Sequence, residues 1–195
     1  RYDFPFQGEK IDIVVATNRT SKGLSIFKID SLGLEEIGSP FLKSQMLGEV
    51  YGFCLFMNMK DSTFYAILNS KDGEVESWKL EENNGIVHGF LKDTFSLGTQ
   101  TEGMVADDRT GKLFIGMENV GIVATNALPQ PERVFDTLKM SLVDKNPQIK
   151  DDIEGLAIYA KSGNSGYLVA SIQGNYSYAV FDLNPPYAHL GSFRI

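Results

Sequence analysis

The stretch Gln100-Thr101-Glu102-Gly103-Met104 has two echoes in the chain, Val50-Tyr51-Gly52-Phe53 before it and Asp152-Ile153-Glu154-Gly155-Leu156 after it. Gly52 and Gly103 stand 51 positions apart, and Gly103 and Gly155 stand 52 apart, so each stretch is expected to hold the same place in a repeating unit. Around them the chain falls into runs of about four to eight residues, apolar or alternating, rich in β-branched and aromatic side chains and separated by turn residues. Strands are therefore expected at 11–16, 24–29, 51–57, 63–68, 75–80, 103–106, 112–117, 122–125, 156–159, 167–172, 178–183 and 189–195. Helical periodicity is weak. Its only trace, over 130–139, is bracketed by Pro129, Pro131 and Pro147 and reads as an irregular outer connection.

Self-similarity near 50 residues, with three or four short antiparallel strands per unit and no alternating helices, predicts an all-β chain of the β-propeller kind, with a β-sandwich as the alternative. The units fall at approximately 1–48, 49–100, 101–151 and 152–195. Four is at the low end of the roughly four to eight blades that close a propeller. The ring is thus expected to be incomplete, and an open stack of blades would expose strand edges that closure normally protects.

Bulk composition narrows the functional classes. With 43% apolar and 11% aromatic residues, the 195-residue chain is not of the disordered class. A formal charge of −7 disfavours a nucleic-acid backbone held by surface Lys and Arg alone. Cys54 is the single cysteine, which excludes an intrachain disulfide and suits a core position. No apolar run reaches the roughly 18 residues of a membrane span, and the Arg1-Tyr2-Asp3-Phe4 start is not a signal peptide. The missing initial Met implies a mature, trimmed or excised chain.

Antiparallel pairing puts the start of a blade's first strand and the end of its second on one rim. That rim collects Tyr51 beside Asn69-Ser70-Lys71-Asp72, Glu102 beside Glu118, and Asp152 with Glu154 beside Gln173 and Asn175. Asn18 and Arg19 take the matching place in the first unit. The other rim receives the turns Lys60-Asp61, Asp107-Asp108-Arg109 and Lys161-Ser162-Gly163, which are expected to be solvated hairpins. Crowded carboxylates repel unless they take up protons or share a counter-ion, and oxygen ligands suit a hard cation such as calcium. Arg19 and Lys71 would then need an anion, and metal with Arg and Lys around one cavity suits a phosphoryl group.

Each residue also has a plainer role: Glu-Gly and Lys-Asp-Gly are common turns, and Tyr51 could fill a core. Agreement of place in three units favours a site. Other chemistries find little support. His88 and His189 have no Cys or spaced carboxylate pair with which to hold zinc. Gly163-Asn164-Ser165-Gly166 is not a nucleophile elbow, and Asp107-Asp108 lacks the spacing of a calcium-binding helix–loop–helix. Asn18-Arg19-Thr20 and Asn175-Tyr176-Ser177 fit the glycosylation pattern, which is common by chance.

From Arg1 to Ile195 the sequence resembles the β-propeller, or alkaline, phytases. The resemblance is carried by Arg1-Tyr2-Asp3-Phe4-Pro5, Ala16-Thr17-Asn18-Arg19, Glu49-Val50-Tyr51-Gly52-Phe53, Gln100-Thr101-Glu102-Gly103-Met104 with Ala106-Asp107-Asp108, Asp152-Ile153-Glu154-Gly155-Leu156, and Gln173-Gly174-Asn175 followed by Ser177-Tyr178-Ala179. It implies a six-bladed propeller that holds several calcium ions in an axial cleft and removes phosphate from phytate, myo-inositol hexakisphosphate, by attack of a metal-activated water. It further implies Glu102, Asp152, Glu154 and Gln173 as calcium ligands, with Tyr51 near both metal and phosphate. Arg19 and Lys71 then hold phosphate, Glu118 joins Tyr51, Lys71 and Arg19 in acting on the substrate, and Asp72 stands where the family often has Glu. Family segments expected before Arg1 and after Ile195 would supply further ligands and close the ring, so the chain is expected to be the middle four blades of a secreted or periplasmic enzyme, monomeric when complete. The alternative is a non-catalytic partial propeller that binds calcium or phytate, or another protein.

Overall fold

The computed structural model describes residues 1–40, 42–46 and 48–195. Among these residues sixteen strands form four antiparallel sheets of four, and each sheet runs in simple sequence order, as in the blades of a β-propeller. The first sheet holds β1 (Phe4–Phe6), β2 (Glu9–Asn18), β3 (Gly23–Asp30) and β4 (Gly33–Glu36). The second holds β5 (Val50–Asn58), β6 (Thr63–Ser70), β7 (Glu74–Asn83) and β8 (Ile86–Ser96). The third holds β9 (Thr101–Asp107), β10 (Lys112–Met117), β11 (Gly121–Asn126) and β12 (Asp136–Thr137), and the fourth holds β13 (Ile153–Ala160), β14 (Gly166–Ile172), β15 (Ser177–Asp182) and β16 (His189–Phe193). The outer strands β4, β8 and β12 and the short β1 were not legible as periodic runs. In β8, for example, Lys92, Asp93 and exposed alternate positions leave one face wet, so the apolar signal is diluted. Residues 130–139 contain β12 and lead into a 3-10 turn at Lys139–Ser141, with no α-helix. Among the described residues no helix is long and apolar enough to cross a membrane.

In the second and third sheets the middle strands β6 and β10 are buried on both faces, because each of these two sheets is stacked between two neighbours. In β6, Phe64, Ala66 and Leu68 pack toward the first sheet with Phe4, Ile13 and Ile26, while Tyr65 and Ile67 pack toward the third with Leu113, Ile115 and Met117. In β10, Phe114 turns the other way and meets Leu168, Ala170 and Phe181 of the fourth sheet. Each fully buried Leu, Ile or Phe contributes about 1.5–3 kcal/mol. Cys54 lies in the second of these cores, and burial pushes its thiol up to about 12, so it is a packing residue.

Two of the three repeated glycines, Gly52 and Gly103, stand where neighbouring blades approach backbone to backbone. In β5, β9 and β13 the ladder slips at the same point: Tyr51-Gly52 faces Asn69 alone, Glu102-Gly103 faces Gly116, and Glu154-Gly155 faces Ser171. Each is a β-bulge, which bends the strand and re-aims a side chain. A Cβ on Gly52 would sit 2.1 Å from the Glu102 carbonyl oxygen, and one on Gly103 would sit 1.9 Å from that of Glu154. Neighbouring inner strands therefore touch backbone to backbone at the bulges.

On the opposite rim Lys60-Asp61 and Lys161-Ser162-Gly163 are exposed as expected, and only Asp107-Asp108-Arg109 departs from a solvated hairpin. The Arg109 guanidinium is clamped by Asp107, only 4% exposed, and donates across the blade boundary to the carbonyls of Lys161, Gly163 and Ser165 at 2.9–3.1 Å. Asp108 accepts the Met57 N–H at 2.9 Å and pairs with Arg1. These turns staple the blades because their charged groups reach neighbouring backbone, a matter of tertiary distance that turn propensity does not carry.

Gly103→Ala is expected to force the third and fourth blades apart and cost about 1–3 kcal/mol, read as a lower urea midpoint with an unchanged slope. An unshifted midpoint would show that the close approach is not a constraint.

Candidate active site

The three bulges set the site. The residue before each glycine, Tyr51, Glu102 or Glu154, leaves the ladder on the same rim, and the glycine contacts bring the three within reach of one another. The Glu102 carboxyl lies between the Tyr51 hydroxyl and the Glu154 carboxyl, close enough for each to act on its proton affinity. Asn69, fully buried at the end of β6, bolts two bulges together: its Oδ1 accepts the Gly52 N–H at 2.7 Å, and its Nδ2 donates to the Glu102 carbonyl at 2.9 Å. Beside it the Thr101 hydroxyl donates to the Ser70 carbonyl at 3.1 Å.

A second acidic pair forms across the next boundary. Glu118, just past β10, donates its N–H to the Gln100 carbonyl at 3.0 Å, and its own carbonyl accepts the Ile153 N–H at 3.1 Å. That places its carboxyl beside Asp152, a partner from the following unit, and only at longer range from Glu102, its expected neighbour. Asp152 is held at φ 39°, a left-handed conformation uncommon for a residue with a side chain. Its carbonyl accepts the Gln173 N–H at 2.8 Å, and the Asp151 carbonyl accepts that of Gly174 at 2.7 Å, so the 3-10 turn Gln173–Asn175 is fastened to the acidic strand. A Cβ on Gly174 would lie 1.9 Å from the Asp151 carbonyl oxygen, which explains the glycine.

The cations converge on Tyr51. The Arg19 guanidinium lies 4.6 Å from the ring centroid and the Lys71 ammonium 4.5 Å from it, both within cation–π range. Arg19 also reaches Glu49 at 3.9 Å, a half-exposed pair worth little in water. Asp72 is exposed and lies over Gly48, whose Cβ would stand 2.6 Å from the Asp72 Oδ2.

The electrostatics follow from this crowding. Partial burial, then the Glu154 charge and the hydrogen bond to it, pushes Glu102 up to about 7, against the opposing pull of the Tyr51 hydroxyl. Burial raises Glu118 as well, with the charges of Asp152 and Glu154 adding to it and Lys71 opposing. The Tyr51 hydroxyl is raised by burial first and by Glu102 next. The Glu118 Oε2 is buried with no hydrogen-bond partner among the described residues. Among the described residues no three His, Cys, Asp or Glu side chains converge into a ready-made metal cage. The acids come instead as two neighbouring pairs, with an oxygen-only donor set that fits a hard cation.

Sequence reasoning had named Asn69 only as part of the rim stretch, without its bridging role. The available signal was an amide ending the apolar run of β6 opposite a bulge, which becomes informative only when Glu102 of the next blade is known to lie against it.

The family model described as Phytase matches residues 1–195. The 3-phytase of Bacillus subtilis (strain 168) is 39% identical over 204 aligned positions, which cover all of this chain and 52% of that protein. The chain thus spans about half the length of that relative. Among solved structures, a functionally unknown protein from Desulfotomaculum acetoxidans DSM 771 matches with a TM-score of 0.60 at 14% identity, over 93% of this chain and 56% of that one. A protein from Lactobacillus plantarum matches with a TM-score of 0.58 at 12% identity, over 93% of this chain and 54% of that one. At such identities these two likenesses concern the fold alone.

Glu102 holds its proton more tightly in the fold than in the unfolded chain, so its contribution is favourable at low pH and is lost as pH rises toward and through about 7. In EDTA at pH 8, Glu102→Gln is expected to raise Tm, by about 2–4 °C for each kcal/mol of repulsion relieved, and to leave it unchanged at pH 4. Scanning calorimetry at the two pH values checks this, and an equal shift at both would point to packing instead.

Proposed function

We propose, because the chain belongs to the phytase family, that the protein of which it forms part is a calcium-dependent phosphoric monoester hydrolase of the 3-phytase kind, releasing phosphate from phytate at this rim. The observation that carries the proposal is the meeting of two close carboxylate pairs with two cations around the Tyr51 ring. A binding site for acids alone would not need Arg19 and Lys71, and a plain anion site would not crowd four carboxylates beside them.

Glu102, Glu154, Asp152 and the Gln173 amide would hold calcium, with the Tyr51 hydroxyl beside them. The unpartnered Glu118 Oε2 and the raised Glu102 both support the fit, since a hard cation relieves the conflict that burial and like charge create. When bound, calcium supplies charge to polarise phosphoryl oxygens and to acidify a water. Arg19 and Lys71 bind the non-bridging phosphate oxygens, Arg19 by a fork of donors and Lys71 as a point charge. Tyr51 positions both, its ring holding the cations and its hydroxyl tied to Glu102. Glu118 takes the proton of the water that attacks phosphorus, a role suited to a carboxylate with a raised proton affinity. Asp72 stands at the edge of the phosphate site. Membership of the family further supports a secreted or periplasmic, monomeric protein.

In the full-length protein, Arg19→Ala or Lys71→Ala is expected to lower kcat/KM for calcium-phytate by about 100-fold or more, measured as phosphate release at neutral to alkaline pH. An Arg19→Ala, Glu102→Ala double variant with undiminished turnover would falsify the assignment. Calcium at about 100 times its Kd should add about 2.7 kcal/mol of stability, visible as a Tm rise that EDTA reverses and that Glu102→Ala diminishes.

A further inference from the structure

The amide that ends β6 distinguishes the second blade from the other two bulged blades. Opposite each slip in an inner strand stands one residue of the second strand: Asn69 faces Tyr51-Gly52, Gly116 faces Glu102-Gly103, and Ser171 faces Glu154-Gly155. Only the first of the three carries an amide. Between the third and fourth blades backbone groups make the link instead. A Cβ on Gly116 would lie 3.2 Å from the Ile153 side chain, and the Glu118 N–H and carbonyl bond Gln100 and Ile153. Asn69 is thus no general device of the repeat, and it stands at the one boundary across which Tyr51 and Glu102 meet.

The groups that Asn69 holds are the peptides next to those two residues. A bulge leaves its extra residue outside the ladder, and here the Gly52 N–H goes to the Asn69 Oδ1 at 2.7 Å. That N–H belongs to the peptide that follows Tyr51. The Asn69 Nδ2 donates at 2.9 Å to the Glu102 carbonyl, which belongs to the peptide that follows Glu102. Because peptide units are planar, holding one of them restricts the direction in which the adjoining residue projects. A single rigid amide therefore sets Tyr51 and Glu102 relative to each other. The accepting and donating bonds also fix which end of the amide is oxygen. The strand end that carries it is itself anchored: Ser70 is fully buried, its carbonyl accepts the Thr101 hydroxyl at 3.1 Å, and its Oγ accepts the Glu74 N–H at 3.2 Å. Two residues after Asn69 comes Lys71, whose ammonium lies 4.5 Å from the Tyr51 ring centroid. Tyr51, Glu102 and Lys71 are all referred to one buried strand end.

We propose that Asn69 is a positioning residue, which through the Gly52 and Glu102 peptides holds Tyr51 and Glu102 at the spacing from which they serve a hard cation. It touches neither cation nor substrate. This role rests on the calcium-dependent hydrolase reading of the rim. Groups that hold metal ligands from behind cost about 10–100-fold in metal affinity or activity when removed. A purely structural amide would behave differently, since unpairing a buried donor and acceptor lowers Tm whatever the ligand does.

Titration calorimetry of calcium into the full-length protein, stripped with EDTA, dialysed and held well below its Tm, separates the two roles. The binding step that Glu102→Ala removes is expected to weaken about tenfold or more in Asn69→Ala, with a parallel fall in kcat/KM for calcium-phytate. Added to Glu102→Ala, the same substitution should change the remaining calcium binding no further. Ile67→Val, in the same strand and buried against the third blade, is expected to lower Tm in EDTA and to leave calcium affinity unchanged. Should Asn69→Ala not fold, Asn69→Asp takes its place: it has the same shape and still accepts the Gly52 N–H, but a carboxylate has no hydrogen for the Glu102 carbonyl. Its negative charge alone would tighten calcium, so weaker binding in that variant reports displaced ligands. Wild-type calcium affinity in the folded Asn69 variant, with only Tm lowered, overturns the role and leaves the hydrolase reading standing. Calcium binding that is the same with and without the Glu102 carboxyl overturns both.

Discussion

Backbone-to-backbone contact between neighbouring inner strands is the constraint from which the rest of this structure follows. At Gly52 and Gly103 the next blade's carbonyl lies where any side chain would have to be. Removing that side chain lets the strands close, and the β-bulge at the same point swings the preceding residue out of the ladder. One dipeptide thus does two things, fixing the spacing of the blades and delivering Tyr51, Glu102 and Glu154 to a shared place on the rim.

The same closeness makes the rim unfavourable for a fold considered alone. Burial together with neighbouring carboxylates opposes ionisation, as the rise of Glu102 to about 7 expresses. Structures retain such groups where a ligand uses them. Here the compensation is only partial: Tyr51 bonds Glu102, Lys71 acts on Glu118, and one Glu118 oxygen remains without a partner. The stability that allows this comes from the three apolar layers between the sheets and from the opposite rim, where Arg109 and Asp108 join neighbouring blades through backbone groups. Strain is concentrated on one rim and cohesion on the other.

Much of the architecture was written in the amino-acid order. Alternation and β-branched runs marked the central strands, the Glu-Gly and Tyr-Gly recurrence marked the repeat, and antiparallel topology put the acids on one rim, because these depend on residue spacing along a single strand or hairpin. Outer strands such as β8 escaped, since one solvated face blurs the pattern. The sequence could place Glu118 and Glu102 on the same rim, but only the tertiary structure paired Glu118 with Asp152, gave Asn69 two bulges to bridge, and turned the Asp107-Asp108-Arg109 hairpin into a staple. Each of those is a contact between blades. Its distance depends on how closely two sheets stack, which no spacing within one unit encodes.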